Sequence, residues 1–201
     1  MPVEVRKGFA GDAADAQRRM LATTHVLPDG QRLHLVNGYF PQGENRRHPV
    51  KFPNKAQFYT RMKDYLQACR PAGTPLIVAG DMNVAPGDAD VGLGEENARR
   101  WLSTGKCSFL PEEREWLEGL KQLGLVDSFR SIYPQQSDRY SWFDYRSRGF
   151  ERVPKRGLRI DLILSSAGLA ERCVAAGIDY DIRAMQRPSD HAPVWAEFKS
   201  D

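Results

Sequence analysis

The stretch TPLIVAGDMN, residues 74–83, constrains the fold of this chain more than any other. Its apolar run from Leu76 to Ala79 is too short for a helix and stops abruptly at Gly80, which reads as a strand buried on both faces of a sheet. A helix precedes it, since Phe58, Met62, Tyr65, Leu66 and Cys69 recur at helical spacing and Asn54 can cap the first turn. Helical signals also follow it. One is a short piece from Glu95 to Leu102. The other is PEEREWLEGLKQLG, with acids in its first turn and a glycine at its end.

The remaining strand signals are short. PVEVRKGF alternates at its start, and THVLPDGQRLHLVNGYF reads as a hairpin turning at Pro28, Asp29 and Gly30. RYSWF, LRIDLIL and VWAEF read as later strands, and SAGLAERC as a short helix. Hairpins beside strand–helix alternation favour an α/β fold of stacked sheets covered by helices over a simple parallel sheet. The 201 residues suit one domain with its own core, or a large fragment of one.

Hydrophobic content of 41% and charged content of 27% suggest neither the disordered nor the membrane class, and a net charge of +3 permits a polyanionic partner without requiring one. Cys69, Cys107 and Cys173 are odd in number, far apart and without CxxC spacing. That pattern argues against a disulfide framework and a structural zinc site, so a reducing, cytoplasmic location is expected. No apolar run approaches the roughly 18 residues of a membrane span, and MPVEVRKGFAGD lacks the apolar core of a signal peptide.

Four polar clusters stand beside strands: Asn37 to Tyr39, Asp81 with Asn83, Asp161, and Asp190 with His191. If the strand continues past Gly80, Asp81 and Asn83 point to the same side. Carboxylate, amide and imidazole at several strand ends suit a hard divalent ion and a water nucleophile, whereas an Asx-turn ending the strand is the alternative. Asp161, set between Ile160 and Leu162, is costly to bury alone. His191 is one candidate partner, and a structural ion pair with Arg159 or another base is the other. The segment YRSRGFERVPKRGLR carries Arg146, Arg148, Arg152, Lys155, Arg156 and Arg159 against the single acid Glu151, and Trp142, Phe143 and Tyr145 adjoin it. Guanidinium groups interleaved with aromatics suit a phosphate backbone and a displaced nucleotide, although a charge run also serves as a solvated face.

Taken together, NGYFPQGE, VAGDMNVAP, GEENARRWLSTGKCSFLPEEREW, RYSWFDYRSRGF, LRIDLIL and PSDHAPVWAEF closely resemble the exonuclease III branch of the endonuclease/exonuclease/phosphatase superfamily. The resemblance runs from about Val3 to the C-terminus. It implies a four-layered α/β sandwich with two central mixed sheets. It also implies a magnesium-dependent hydrolase, with manganese as an alternative ion, that acts on double-stranded DNA at abasic sites and 3′ ends and is monomeric when complete. Asp81 would orient and deprotonate the attacking water, and Asn83 would position it. Tyr39 would contact the scissile phosphate or assist the leaving group, and His191, oriented by Asp161, would stabilise the phosphate. Asp81, Asn83, Asp190 and His191 would surround the metal. Trp142 would line the abasic-sugar pocket, with Arg146, Arg148 and Arg156 on DNA.

Two strings of the family are not present: an FNxNG-like asparagine and a QET glutamate, each ending an early strand. The chain is therefore expected to hold a partial domain over residues 1–201, N-terminally truncated and weak or inactive by itself. A non-catalytic DNA-binding remnant and a phosphoesterase for small substrates are the competing readings.

Overall fold

The computed structural model describes residues 1–69 and 73–199. Strands β1 (Glu4–Lys7), β2 (Met20–Val26), β3 (Arg32–Gly38), β4 (Leu76–Asp81), β5 (Leu125–Asp127) and β6 (Asp161–Ser166) form one sheet in the order β1-β2-β3-β4-β6-β5. Only β3 and β4 run parallel, so the sheet is mixed. A second sheet pairs β7 (Cys173–Ile178) with β8 (Val194–Phe198). Three longer helices, α1 (Lys51–Cys69), α2 (Glu95–Thr104) and α3 (Pro111–Lys121), are joined by the short α4 (Ser128–Ile132), α5 (Ala167–Ala170) and α6 (Tyr180–Arg183). The architecture is the α/β class with two sheets that the resemblance implies, but only the six-stranded sheet is mixed, and the second is an antiparallel pair.

Strand alternation builds the main core. Met20, Ala22, Val36, Leu76, Val78, Leu162 and Leu164 meet Phe58, Tyr59, Met62 and Leu66 of α1 and Leu117 and Leu120 of α3. Each such side chain contributes roughly 1.5–3 kcal/mol when fully buried, so this interface dominates the stability of the larger sheet. The expectation that β4 is buried on both faces needs correcting. Leu76 and Val78 are buried, but Ile77 and Ala79 are half-buried, because β8 meets the sheet at β6 and β7 packs on α4, to one side of β4.

Other local readings shift. Helix α1 begins at Lys51, which puts exposed Asn54 inside the helix rather than at its cap. The His48 ring replaces it, its Nδ1 accepting from the Val50 and Lys51 amides at 3.2 and 3.0 Å. RYSWF is not a regular strand. The Ser141 and Trp142 amides both donate to the Leu158 carbonyl at 2.9 Å, and Trp142 forms isolated bridges to Leu158 and His191. LRIDLIL becomes a strand only from Asp161.

Sheet order then fixes where the chemistry lies. Parallel β3 and β4 end on the same edge, and antiparallel β6 begins there. The polar clusters after β3, after β4 and at the start of β6 therefore share one rim.

Candidate active site

At that rim the antiparallel register sets Asp81 directly opposite Asp161. Directly opposed like charges are destabilising unless something compensates them. His191 does so in part, its Nδ1 lying 2.8 Å from Asp161 Oδ2. The side chains of Asp161 and His191 are 14% and 30% exposed, enough for a small ligand to reach the pair. Arg159, the alternative partner for Asp161, is occupied elsewhere. Its guanidinium is buried against Asp90 at 2.7 Å and Asp127 at 2.6 Å.

Asp81 and Asn83 converge, but not by continuing the strand. Asn83 has a φ of 53°, and the turn this makes lets its amide donate to Asp81 Oδ1 and its Nδ2 to Asp81 Oδ2, both at 2.8 Å. The Asx-turn and the paired functional side chains are thus the same structure. Gly80 makes the approach possible. With a φ of 132°, a Cβ there would fall 2.1 Å from the Gly38 carbonyl oxygen. Ser141 ties the parts together: its buried Oγ accepts from the Ile160 and Asp161 amides at 3.0 Å, and its carbonyl accepts from Ala192 at 2.7 Å.

Electrostatics mark the same spot. Burial is the main cause lifting the Asp81 pKa to about 7, and the Asp161 charge adds to it, while His191, the Asn83 amide and Lys55 pull the other way. Burial disfavours the His191 imidazolium, yet the hydrogen bond and charge of Asp161, helped by Asp81 and Asp190, raise its pKa above the ordinary histidine value. One ligand atom from each of Asp81, Asp161 and His191 falls within a 4.8 Å cluster. Two opposed carboxylates with incomplete compensation and an imidazole are a donor set that fits a hard divalent cation. Among the described residues Asp190 is outside that trio, and its Oδ2 accepts from the Trp142 indole at 3.0 Å.

The cluster opens into a cleft of about 450 Å³ whose walls include Tyr39, Asn83, Trp142, Arg146 and Asp190. Tyr39 is exposed beneath the Arg19 guanidinium, 4.7 Å from the ring centre. Arg148 and Arg156 lie outside the cleft lining but are exposed on the loop beyond it. Arg159 leaves that cationic surface for the interior, and Lys155 lies over the Phe150 ring at 3.7 Å. Phe143 is fully buried, so Trp142 and Tyr145 are the aromatics left near the surface. Sequence reasoning missed Trp101, Lys106, Leu158 and Ile160, which also line the cleft. Lys106 sits 3.7 Å over the Trp101 ring. Leu158 and Ile160 carried a signal, an i, i+2 pair in LRIDLIL, but it reads as core, whereas Trp101 and Lys106 had only their nearness to the Gly-rich stretch.

Comparison with known proteins agrees with this geometry. The Endonuclease/Exonuclease/phosphatase family model matches residues 4–191. Exodeoxyribonuclease III of Haemophilus influenzae is 54% identical over 198 residues, a match covering 98% of this chain and 73% of that protein. The structure of the 3′ phosphatase NExo from Neisseria bound to product DNA hairpin superimposes with a TM-score of 0.86 at 36% identity, covering 100% of this chain and 72% of the other. An AP endonuclease from Archaeoglobus fulgidus gives a TM-score of 0.85 at 31% identity, covering 100% of this chain and 72% of that one. By fold, strand-end constellation and sequence, the chain belongs to the endonuclease/exonuclease/phosphatase family.

Proposed function

We propose that this chain is a DNA-repair phosphodiesterase of the exonuclease III type, acting on double-stranded DNA at 3′ ends and abasic sites in the cytoplasm. One observation carries the reading: Asp81 and Asp161 are opposed in register beside His191, at the mouth of a cleft walled by Trp142 and Arg146. Hydrolysis of a phosphodiester needs an oriented water, compensated non-bridging oxygens and a stabilised leaving oxygen. Magnesium, or manganese in its place, would supply positive charge to the phosphate oxygens from a site formed by the oxygens of Asp81, Asn83, Asp161 and Asp190.

The side chains divide the remaining work. Asp81 orients the attacking water and takes its proton. Asn83 fixes the Asp81 carboxylate through two hydrogen bonds and helps place the water. Asp161 holds the His191 ring, so that the imidazolium donates from Nε2 to a phosphate oxygen. Tyr39, which also lines the cleft, contacts the scissile phosphate. Trp142, Leu158 and Ile160 form the apolar side of the cleft, which suits a sugar lacking its base. Arg146, Arg148 and Arg156 engage backbone phosphates.

The extended cationic and aromatic surface favours DNA over a small phosphate ester, which needs no such reach. Parallel assays on a duplex with one abasic site and on bis(4-nitrophenyl) phosphate, with magnesium and with chelator, test the proposal. Magnesium-dependent incision of the duplex with little turnover of the small ester is expected. The reverse preference would assign the chain to small substrates, and duplex binding without incision would make it a DNA-binding remnant.

A further inference from the structure

The walls of the cleft are held from behind by a buried ion pair that touches no reacting atom, although the Lys55 charge also opposes the rise in the Asp81 pKa. Lys55 of α1 and Glu113 of α3 are both fully buried, and the Lys55 ammonium donates to Glu113 Oε1. Its other two hydrogen bonds go to backbone carbonyls, to Asn83 at 2.9 Å and Gln42 at 3.2 Å. All three ammonium donors are therefore used. Glu113 Oε2 in turn accepts from the Ser108 and Leu110 amides at 2.7 and 2.8 Å.

Gln42, Asn83 and Ser108 all line the cleft, and they come from three different segments of the chain. Two of them, Asn83 with a φ of 53° and Ser108 with a φ of 115°, hold left-handed backbone conformations. Such conformations persist in non-glycine residues only where the surroundings over-determine them. The Ala85 amide donates to the Ser108 carbonyl at 2.7 Å and closes the circuit between the two strained segments. The space is tight as well. A Cβ on Gly43, whose φ is 86°, would meet Lys55 Cδ at 2.9 Å and Cys107 Sγ at 3.0 Å. A buried pair of this kind is weak support for stability, since well-packed apolar residues often serve as well or better. What it provides here is position.

We infer that Lys55 and Glu113 are positioning residues: the pair clamps the backbone of Gln42, Asn83 and Ser108, and so sets the Asp81–Asn83 geometry for the reaction proposed above. The inference rests on that reading for its catalytic consequence, but the clamp has a readout of its own. Removing Lys55 alone would strand a buried carboxylate. The test therefore uses the double variant Lys55→Met with Glu113→Gln, which removes both charges while the new amide oxygen keeps the Ser108 and Leu110 amides satisfied.

Amide hydrogen exchange followed by NMR is expected to rise about tenfold or more at Asn83 and Ser108, with Val78 in the core of β4 unchanged as internal control. In duplex cleavage, kcat is expected to fall roughly tenfold to a hundredfold with KM nearly constant, the signature of displaced reacting groups. Unchanged exchange at Asn83 and Ser108 would overturn the clamp. Raised exchange with unchanged kcat would overturn its role in positioning. If the double variant does not fold, Glu113→Asp, which keeps the charge and withdraws it by one methylene, is read by the same two criteria. If the unsubstituted chain cleaves no duplex, the proposed function fails, and the exchange result alone decides the clamp.

Discussion

Asp81, Asp161 and His191 gain their chemical character from one another. Asp81→Ala and His191→Ala are each expected to lower duplex cleavage by about 10²-fold or more in single-turnover kinetics, and in calorimetry His191→Ala should also lower the thermal midpoint, since it leaves Asp81 and Asp161 opposed without their compensating partner. In the metal-free protein, NMR titration of His191 should give a pKa above 6.5. Asp161→Asn should lower it, because the Asp161 hydrogen bond and charge are the leading influences that raise it. The raised folded pKa means that the stabilisation from the Asp161–His191 pair is fully present below pH 6.5 and fades as pH rises through the folded value. Asp161 was legible in the sequence because a lone acid amid LRIDLIL needs a partner. Which base filled that role was not legible, since Arg159 is two residues away and His191 is thirty. The structure resolves it by giving Arg159 two buried acids of its own.

At the scale of elements, those acids anchor the lead into β6. Arg159 joins Asp90, which also pairs with Arg130, to Asp127, the cap of α4. Arg159→Met would leave two buried carboxylates short of a partner and should cost about 3–5 kcal/mol in urea unfolding, far more than loss of an exposed arginine. Helix α1, the β2–β3 hairpin and the β4 run were readable because each has a strong period or turn signal. Strands β5 and β7 and helices α4 and α6 were not. They are three to six residues long, and their form comes from pairing with β6 and β8 and from Asp127 and Asp179 capping α4 and α6. The Lys55–Glu113 pair was invisible for a related reason. A lysine within a helix reads as solvent-facing until the third segment that buries it is placed.

For the whole molecule, the sheet edge gathers the strand-end clusters, and the loop from Tyr145 to Arg156 extends that edge into a cationic surface. Net charge is only +3, so DNA affinity should depend on this local concentration and not on overall charge. Replacing Arg146, Arg148 and Arg156 together by alanine should weaken duplex binding across sequences and reduce the slope of log Kobs against log salt by roughly 2 to 3, as fluorescence anisotropy at several salt concentrations would show.

Cleavage of a duplex carrying one abasic site, with this protein in excess over DNA so that slow turnover is still seen, tests the central claim most directly. Run with magnesium, with chelator, and with Asp81→Ala, the assay should give incision in magnesium alone and lose it in both controls. Incision that survives chelation or the Asp81 substitution, or a complete lack of incision in magnesium, would contradict the account.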